Sequence, residues 1–169
     1  MGDRLAGRHS YIGSSGRTVQ YETNQLQGVF SNVKEDDFFD LGGGRTGVYV
    51  AYETVGRFSG GMFTVLIEFL YDYPMYAPNA YVVRPELLPS TIHVYPPQPG
   101  FKPQHICYLD PDQWSPEFTS FDVAIMIQTW IYAYCSWRST GKWDWQQSIV
   151  ADWELWRQIN TRRGINRYG

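Results

Sequence analysis

The segment from Val123 to Trp137 constrains the fold of this chain most strongly, because it is apolar at nearly every position. Directly before it, Thr119-Ser120-Phe121-Asp122 resembles a capping box in which Asp takes the place of the usual Glu. A helix this apolar is expected to be buried among other elements rather than to lie on the surface. We therefore predict a central helix over residues 121–137, packed on a sheet.

The sheet is predicted from three segments that are rich in β-branched and aromatic residues, namely Gly47–Glu53, Met62–Leu70 and Ala80–Val83. Ser59-Gly60-Gly61 separates the first two segments, which favours an antiparallel hairpin. The order of a helix, three strands, a long loop and two helices indicates an α+β domain. In such a domain helices flank an antiparallel sheet, here of about four strands.

Two further helices are predicted from apolar residues that recur with helical spacing. The first passes through Leu26, Val29, Phe30 and Val33, and the second runs from about Gln146 to Asn160. A length of 169 residues suits one domain with its own core. We expect a mobile N-terminal tail over residues 1–18, a folded domain over 19–160 and a C-terminal tail over 161–169.

Composition excludes several functional classes. The net charge is −3 and the basic residues are scattered, apart from a few arginines near the C-terminus, so we expect no nucleic-acid partner. No run of ~18 apolar residues and no signal-peptide core occur, so we expect a soluble, cytoplasmic protein without a membrane partner. Two cysteines cannot supply a four-ligand zinc site, and we expect neither a metal nor a cofactor.

The cysteine at 107 is the first candidate for chemistry, because it lies in the polar, proline-bounded stretch QHICYLDPDQWSPEFT (residues 104–119). The loop from Pro85 to Pro116 is far longer than an ordinary connection, and such loops usually carry function. Trp114 is expected to be largely buried beneath this loop and to anchor it. The second cysteine, Cys135, falls inside the apolar helix and is predicted to be structural.

A Cys/His dyad around Cys107 would need His93 or His105 as its base. Residues two apart in an extended segment point the same way without necessarily touching, so His105 is not thereby placed at the sulfur. Asp110 could hold an incoming amine, although acidic residues in turns more often only form the turn. A cysteine hydrolase and a cysteine acyltransferase both remain open at this level.

Several motifs in order resemble a ubiquitin-conjugating enzyme, and more closely the bacterial branch of that family. They run over roughly residues 45–145: Tyr73-Pro74 with Pro78, His93-Val94-Tyr95, Ile106-Cys107-Tyr108-Leu109, Trp114-Ser115-Pro116, Trp130, and Trp137 followed by Thr140-Gly141-Lys142-Trp143. The spacing from the cysteine to the tryptophan is one residue shorter here than in the eukaryotic members. The resemblance implies the fold of that family, with Cys107 as the cysteine that carries an acyl group.

The resemblance also implies a reaction and partners. Cys107 would accept the C-terminal acyl group of a ubiquitin-like protein, or of a cGAS-like nucleotidyltransferase in a CBASS-type antiviral operon, from an activating enzyme, and pass it to an amine. Eukaryotic members carry His-Pro-Asn where this chain has His93-Val94-Tyr95. We therefore expect the Tyr95 hydroxyl, His93 or a backbone N–H to stabilise the oxyanion. The alternative is a non-catalytic module that binds a partner through Tyr71, Tyr73 and Tyr76.

Overall fold

The computed structural model describes residues 11–14, 16–54 and 61–145 of the chain. In these residues a five-stranded antiparallel sheet packs against a long helix, and a two-stranded ribbon precedes the sheet. The ribbon consists of β1 (Tyr11–Ile12) and β2 (Arg17–Thr18), and the sheet has the spatial order β3 (Phe39–Gly42), β4 (Arg45–Glu53), β5 (Met62–Phe69), β6 (Asn79–Arg84) and β7 (Gln104–His105). The helices are α1 (Val19–Leu26) and α2 (Ser120–Thr140). The predicted α+β class is confirmed.

The central strands form because their apolar residues alternate. In β4, Val48, Val50 and Tyr52 are buried whereas Tyr49 and Ala51 are exposed, as expected for a strand with one face on the core. Strand β5 pairs with β4 over its whole length, which confirms the predicted hairpin. The Tyr52 hydroxyl donates a hydrogen bond of 2.8 Å to the carbonyl of Ala124 and thereby ties the sheet to α2.

Helix α2 is the predicted central helix. At its start, the Asp122 carboxylate accepts a hydrogen bond of 2.8 Å from the backbone N–H of Thr119, as the capping box predicts. At its end, Gly141 adopts a left-handed backbone with φ of 76° and donates to the carbonyl of Trp137. Between these caps Trp130 and other large side chains are fully buried, so the helix lies at the centre of the core.

The first helix lies earlier than predicted, and the helix expected through Leu26, Val29, Phe30 and Val33 is wrong. Helix α1 begins at the cap of Thr18, whose hydroxyl accepts the N–H of Tyr21 at 3.0 Å, and it ends at Leu26. The N–H groups of Val29 and Phe30 both bond to the carbonyl of Leu26, which makes a turn rather than further helix. Leu26, Val29, Phe30 and Val33 have helical spacing because the turn, like a helix, directs all four side chains to the core.

Residues 11–14 and 16–18 fall in the segment expected to be a mobile tail, yet they pack on the domain. Ile12 is fully buried. The Arg17 guanidinium donates to the carbonyls of Phe118 at 2.6 Å and Pro116 at 2.7 Å, and it pairs with Glu22 at 3.4 Å. A polar network therefore holds this part, which apolar periodicity could not indicate.

The Glu22 carboxylate is fully buried and is the centre of that network. It accepts the Tyr73 hydroxyl at 2.7 Å and the Ser120 N–H at 3.0 Å, in addition to Arg17. Burial next to this carboxylate raises the pKa of Tyr73 far above its ordinary value. The network joins the ribbon, α1 and the start of α2.

Some predicted features lie outside the described residues. These are residues 1–10, the helix expected from Gln146 to Asn160, and the C-terminal tail over 161–169. Among the residues that are described, no helix has both the length and the apolar character needed to cross a membrane.

Candidate functional site

Cys107 follows β7 on an extended segment whose side chains alternate between the core and the surface. Ile106 and Tyr108 on either side are buried, so Cys107 faces outward and is half-buried. The Ile106 N–H bonds to the carbonyl of Ala80 at 3.0 Å, and the Tyr108 hydroxyl donates to the carbonyl of Pro78 at 2.6 Å. Two anchors in the core therefore fix the backbone that carries the thiol.

The thiol lines an open cleft of about 600 Å³ between the cysteine loop and α2. The other lining residues are His93, Tyr108, Leu109, Asp110, Pro111, Gln113, Met126, Thr129 and Trp145. The walls are mostly apolar, and no lysine or arginine stands among these described residues. Asp110 lies at the exposed rim, where its carboxylate also accepts the N–H of Asp112 at 3.1 Å and so forms the turn.

The Tyr95 side chain lies on the same face of the extended segment as Cys107, because Val94 pairs with Ile106 and Tyr95 stands opposite His105, two residues before the cysteine. Burial raises the pKa of Tyr95 to about 12, and a hydrogen bond to Cys107, the charge of its thiolate and the charge of Asp110 add to the rise. The tyrosine backbone is held by its N–H to the carbonyl of His105 at 2.8 Å. At neutral pH the phenol therefore keeps its proton and can donate it.

His93 contributes its backbone to the site. Its φ of 56° lies in the left-handed region, which is uncommon for a residue with a side chain. In this conformation its carbonyl accepts both the Cys107 N–H at 2.9 Å and the indole N–H of Trp130 at 3.0 Å. The imidazole packs against Trp143 and Trp145, with ring centroids 4.9 and 5.2 Å away.

His105 packs its ring against the rings of two tyrosines. Its ring is 4.3 Å from the ring of Tyr95 and 4.7 Å from that of Tyr81, and burial lowers its pKa. The Cys107 thiol reaches the carbonyl of Leu109 at 3.8 Å. Within the described residues neither imidazole makes a hydrogen bond to the sulfur, so no Cys/His dyad is assembled.

Trp114 anchors the loop but is half-buried rather than largely buried. Its indole N–H donates to the carbonyl of Pro74 at 2.8 Å, and its ring meets that of Phe118 edge to face. Cys135 is also half-buried, on the part of α2 that packs against the core. Its thiol is therefore less enclosed than a position inside an apolar helix suggests, and its structural role stays a prediction.

Sequence reasoning missed the side of the cleft that α2 and its C-terminal extension provide. Met126 and Thr129 are three residues apart and so lie on one face of α2, toward the cleft. Trp145 reaches the cleft only because the chain turns back after Gly141. The spacing of Met126 and Thr129 could have predicted that they share a face of the helix. No sequence pattern predicted that the chain turns back and brings Trp145 to the cleft.

The sequence around this site matches a known protein family. A family model described as "Type II CBASS E2 protein" matches residues 39–150. The match spans the five-stranded sheet, the cysteine loop and α2. Searches of the curated proteins and of the solved structures found no significant match.

Proposed function

Because the chain belongs to the family of Type II CBASS E2 proteins, we propose that Cys107 accepts the C-terminal acyl group of another protein as a thioester and transfers it to an amine. One observation carries this proposal. The thiol is half-buried in an open, mostly apolar cleft, with the Tyr95 side chain on the same face and, among the described residues, no imidazole hydrogen-bonded to the sulfur. That setting suits a thioester, which has to react with amines and yet persist in water.

The reaction has two acyl transfers. In the first, the Cys107 thiolate attacks the activated C-terminal carbonyl of the donor protein, a carbon–sulfur bond forms, and the activating group leaves. In the second, an amine attacks the thioester carbonyl, a carbon–nitrogen bond forms, and the carbon–sulfur bond breaks. The thiolate leaves with the bonding electron pair, and the amine nitrogen releases one proton to water.

Both transfers pass through a tetrahedral intermediate with a negative oxygen. A hydroxyl that reaches the sulfur is also close to the carbonyl oxygen of an acyl group on that sulfur, which is two bonds away. Because its pKa is about 12, Tyr95 stays protonated and can donate to this oxygen. Tyr95 therefore takes the role that an asparagine has in the eukaryotic ubiquitin-conjugating enzymes.

His93 supports the site through its backbone carbonyl, and Asp110 stands at the cleft rim where its carboxylate can accept a hydrogen bond from the incoming amine. Hydrolysis is disfavoured because, among the described residues, neither imidazole is hydrogen-bonded to the sulfur. The His93 ring packs against Trp143 and Trp145, while the His105 ring packs between two tyrosines. The geometry thus supports a transferase over the cysteine hydrolase.

The donor is a ubiquitin-like protein or a cGAS-like nucleotidyltransferase, delivered by an activating enzyme in bacterial antiviral defence. The family description supports the antiviral setting. No described lysine or arginine lines the cleft, so the cleft has no cation to bind a free carboxylate. This agrees with a donor whose C-terminal carboxyl group is already activated.

A partner-binding module without catalysis is the second candidate. Tyr71 and Tyr76 are 67% and 64% exposed, which favours such a surface. Tyr73, which the sequence grouped with them, is fully buried and bonded to Glu22, so that residue is removed from the surface. The surface does not conflict with a role for Cys107.

The experiment combines the purified protein with a cGAS-like nucleotidyltransferase as the proposed donor, an activating enzyme, ATP and magnesium. We expect an adduct that dithiothreitol removes from the wild type and from Cys135→Ala, the matched control. Cys107→Ser should give an adduct that resists dithiothreitol, because an alkoxide is a poorer leaving group than a thiolate. Cys107→Ala should give none. Transfer to an amine by a folded Cys107→Ala protein would refute the proposal.

A further inference from the structure

A row of aromatic rings crosses the face of the sheet that is turned away from α2. Strand β6 places Ala80 and Val82 in the core, so Tyr81 between them points to the opposite face. Tyr81 pairs in register with His105 of β7. The ring centroids are 4.7 Å apart from Tyr81 to His105 and 4.3 Å apart from His105 to Tyr95. The row therefore runs from the middle of the sheet to Tyr95, which lies on the same face of the extended segment as Cys107.

The far end of this row is fixed by a buried carboxylate. The Tyr81 hydroxyl donates to Glu68 at 3.3 Å, and the same carboxylate accepts Asn79 at 2.9 Å and Arg45 at 3.0 Å. Glu68 is only 7% exposed. With its hydroxyl held by Glu68 and its ring packed edge to face against Phe101 at 5.0 Å, Tyr81 forms a rigid support for the imidazole that lies on it.

The near end of the row depends on His105. The backbone of Tyr95 is held on both sides, by its N–H to the carbonyl of His105 at 2.8 Å and by its carbonyl, which accepts Gln104 at 3.2 Å. These bonds place its Cα but leave the side-chain torsions free. In the described part of the chain, the imidazole of His105 is the ring that stacks on Tyr95.

From this geometry we propose that His105 is a positioning residue that holds the Tyr95 hydroxyl at the acyl group on Cys107. The imidazole acts through its shape and its two ring contacts, and it exchanges no proton in the reaction. This inference rests on the acyl transfer proposed above. It assigns to His105 a function different from that of a dyad base, and it extends the site to Tyr81 and Glu68.

The test uses a probe that needs neither the natural donor nor the activating enzyme. In a Cys135→Ala background, the thioester of N-acetylglycine with 2-mercaptoethanesulfonate is exchanged onto Cys107. Mass spectrometry confirms the acyl-enzyme. Lysine amide is then added, and loss of the acyl-enzyme over time gives the rate constant for attack by an amine. The probe thiol leaves in the exchange and the Cys107 thiolate leaves in the attack, so each step is balanced.

Five variants separate positioning from structure. Tyr95→Phe should lower the rate constant by about 100-fold, as removal of one oxyanion donor does. His105→Ala should lower it by about tenfold, because the hydroxyl is still present but is in place for less of the time. His105→Phe keeps a ring between the two tyrosines and should stay within about twofold of the wild type. In the double variant with Tyr95→Phe, His105→Ala should have no further effect.

Tyr49→Ala is the matched control, because this exposed aromatic residue lies on the same face of the sheet and stacks on Phe39 instead of on the row. It should leave the rate constant unchanged. Thermal unfolding of each variant shows whether it is folded at the assay temperature. A His105→Ala protein that is folded and reacts at the wild-type rate would overturn the positioning role while leaving the acyl transfer intact. The same holds if the two substitutions multiply fully in the double variant. If the wild-type Cys107 takes no acyl group from the probe, both proposals fail.

Discussion

Arg17→Met is expected to destabilise the protein far more than its place near the N-terminus suggests. The substitution keeps a side chain of similar length but removes the guanidinium, whose bonds go to the carbonyls of Phe118 and Pro116 and to the Glu22 carboxylate. The side chain of Arg17 is only 17% exposed and that of Glu22 is fully buried. Solvent therefore screens this ion pair weakly.

The magnitude follows from what remains after the substitution. The Glu22 carboxylate still accepts hydrogen bonds from the Tyr73 hydroxyl and the Ser120 N–H, and these two bonds continue to stabilise its charge. Pro116 is exposed and its carbonyl can bond to water, whereas the carbonyl of the half-buried Phe118 loses a charged donor. Breaking a buried ion pair costs about 3–5 kcal/mol, and the remaining bonds place this case near the lower end, at about 3 kcal/mol.

Urea unfolding followed by tryptophan fluorescence measures the change in free energy. Lys102→Met is the control, because Lys102 is exposed and forms no ion pair among the described residues, so its loss should change the free energy of unfolding by about 0.5 kcal/mol or less. In a Glu22→Gln background, Arg17→Met should cost only about 1 kcal/mol, since no buried carboxylate is then left without its cation. Equal costs of Arg17→Met in the two backgrounds would refute the reasoning.

Four further predictions follow from the fold and the site. Asp122→Ala should lower the stability by about 1 kcal/mol through loss of the α2 cap, measured by urea unfolding, and an unchanged midpoint would contradict this. Trp114→Phe keeps the ring but loses the bond to Pro74, and should cost about 1 kcal/mol in the same assay. Iodoacetamide should label Cys107 before Cys135 in the native protein, because the first thiol lines an open cleft; peptide mass spectrometry over time decides the order. Five tyrosines have a pKa that is higher in the folded protein than the ordinary value of 10, so folding favours their protonated form. Their contribution to stability is therefore complete below about pH 10. It is lost as the pH rises through the pKa of the folded protein, which is about 12 for Tyr95. Absorbance at 295 nm should show less tyrosinate at pH 11 in the native protein than in urea, owing to Tyr52, Tyr73, Tyr81, Tyr95 and Tyr108.

The sequence predicted the elements whose stability comes from burial of their own apolar pattern. The hairpin of β4 and β5, strand β6 and helix α2 belong to this class, since alternation or a continuous apolar run determines which face is buried. Strands β3 and β7 were missed because each is short and exists only through pairing with a neighbouring strand. Helix α1 was misplaced because its sequence VQYETNQL is mostly polar.

The site was predictable in its central residue and not in its arrangement. The polar, proline-rich surroundings of Cys107 already pointed to an exposed thiol. The two histidines suggested a dyad because they lie near Cys107 in the sequence. Distance along the sequence cannot show which aromatic rings each imidazole packs against. The ring of His105 packs against that of Tyr95, and the imidazole of His93 packs against Trp143 and Trp145. These positions depend on contacts between distant parts of the chain.

The polar network around Arg17 and Glu22 also determines where this protein can be shortened. A gene trimmed to begin at residue 19 would follow the change from a Gly/Ser-rich start to regular structure, and would be a natural choice for expression or crystallisation. It would delete Ile12 from the core and remove both the Thr18 cap of α1 and the guanidinium at Glu22. Poor yield of such a product would report a lost part of the domain, so no truncation should remove Ile12, Arg17 or Thr18.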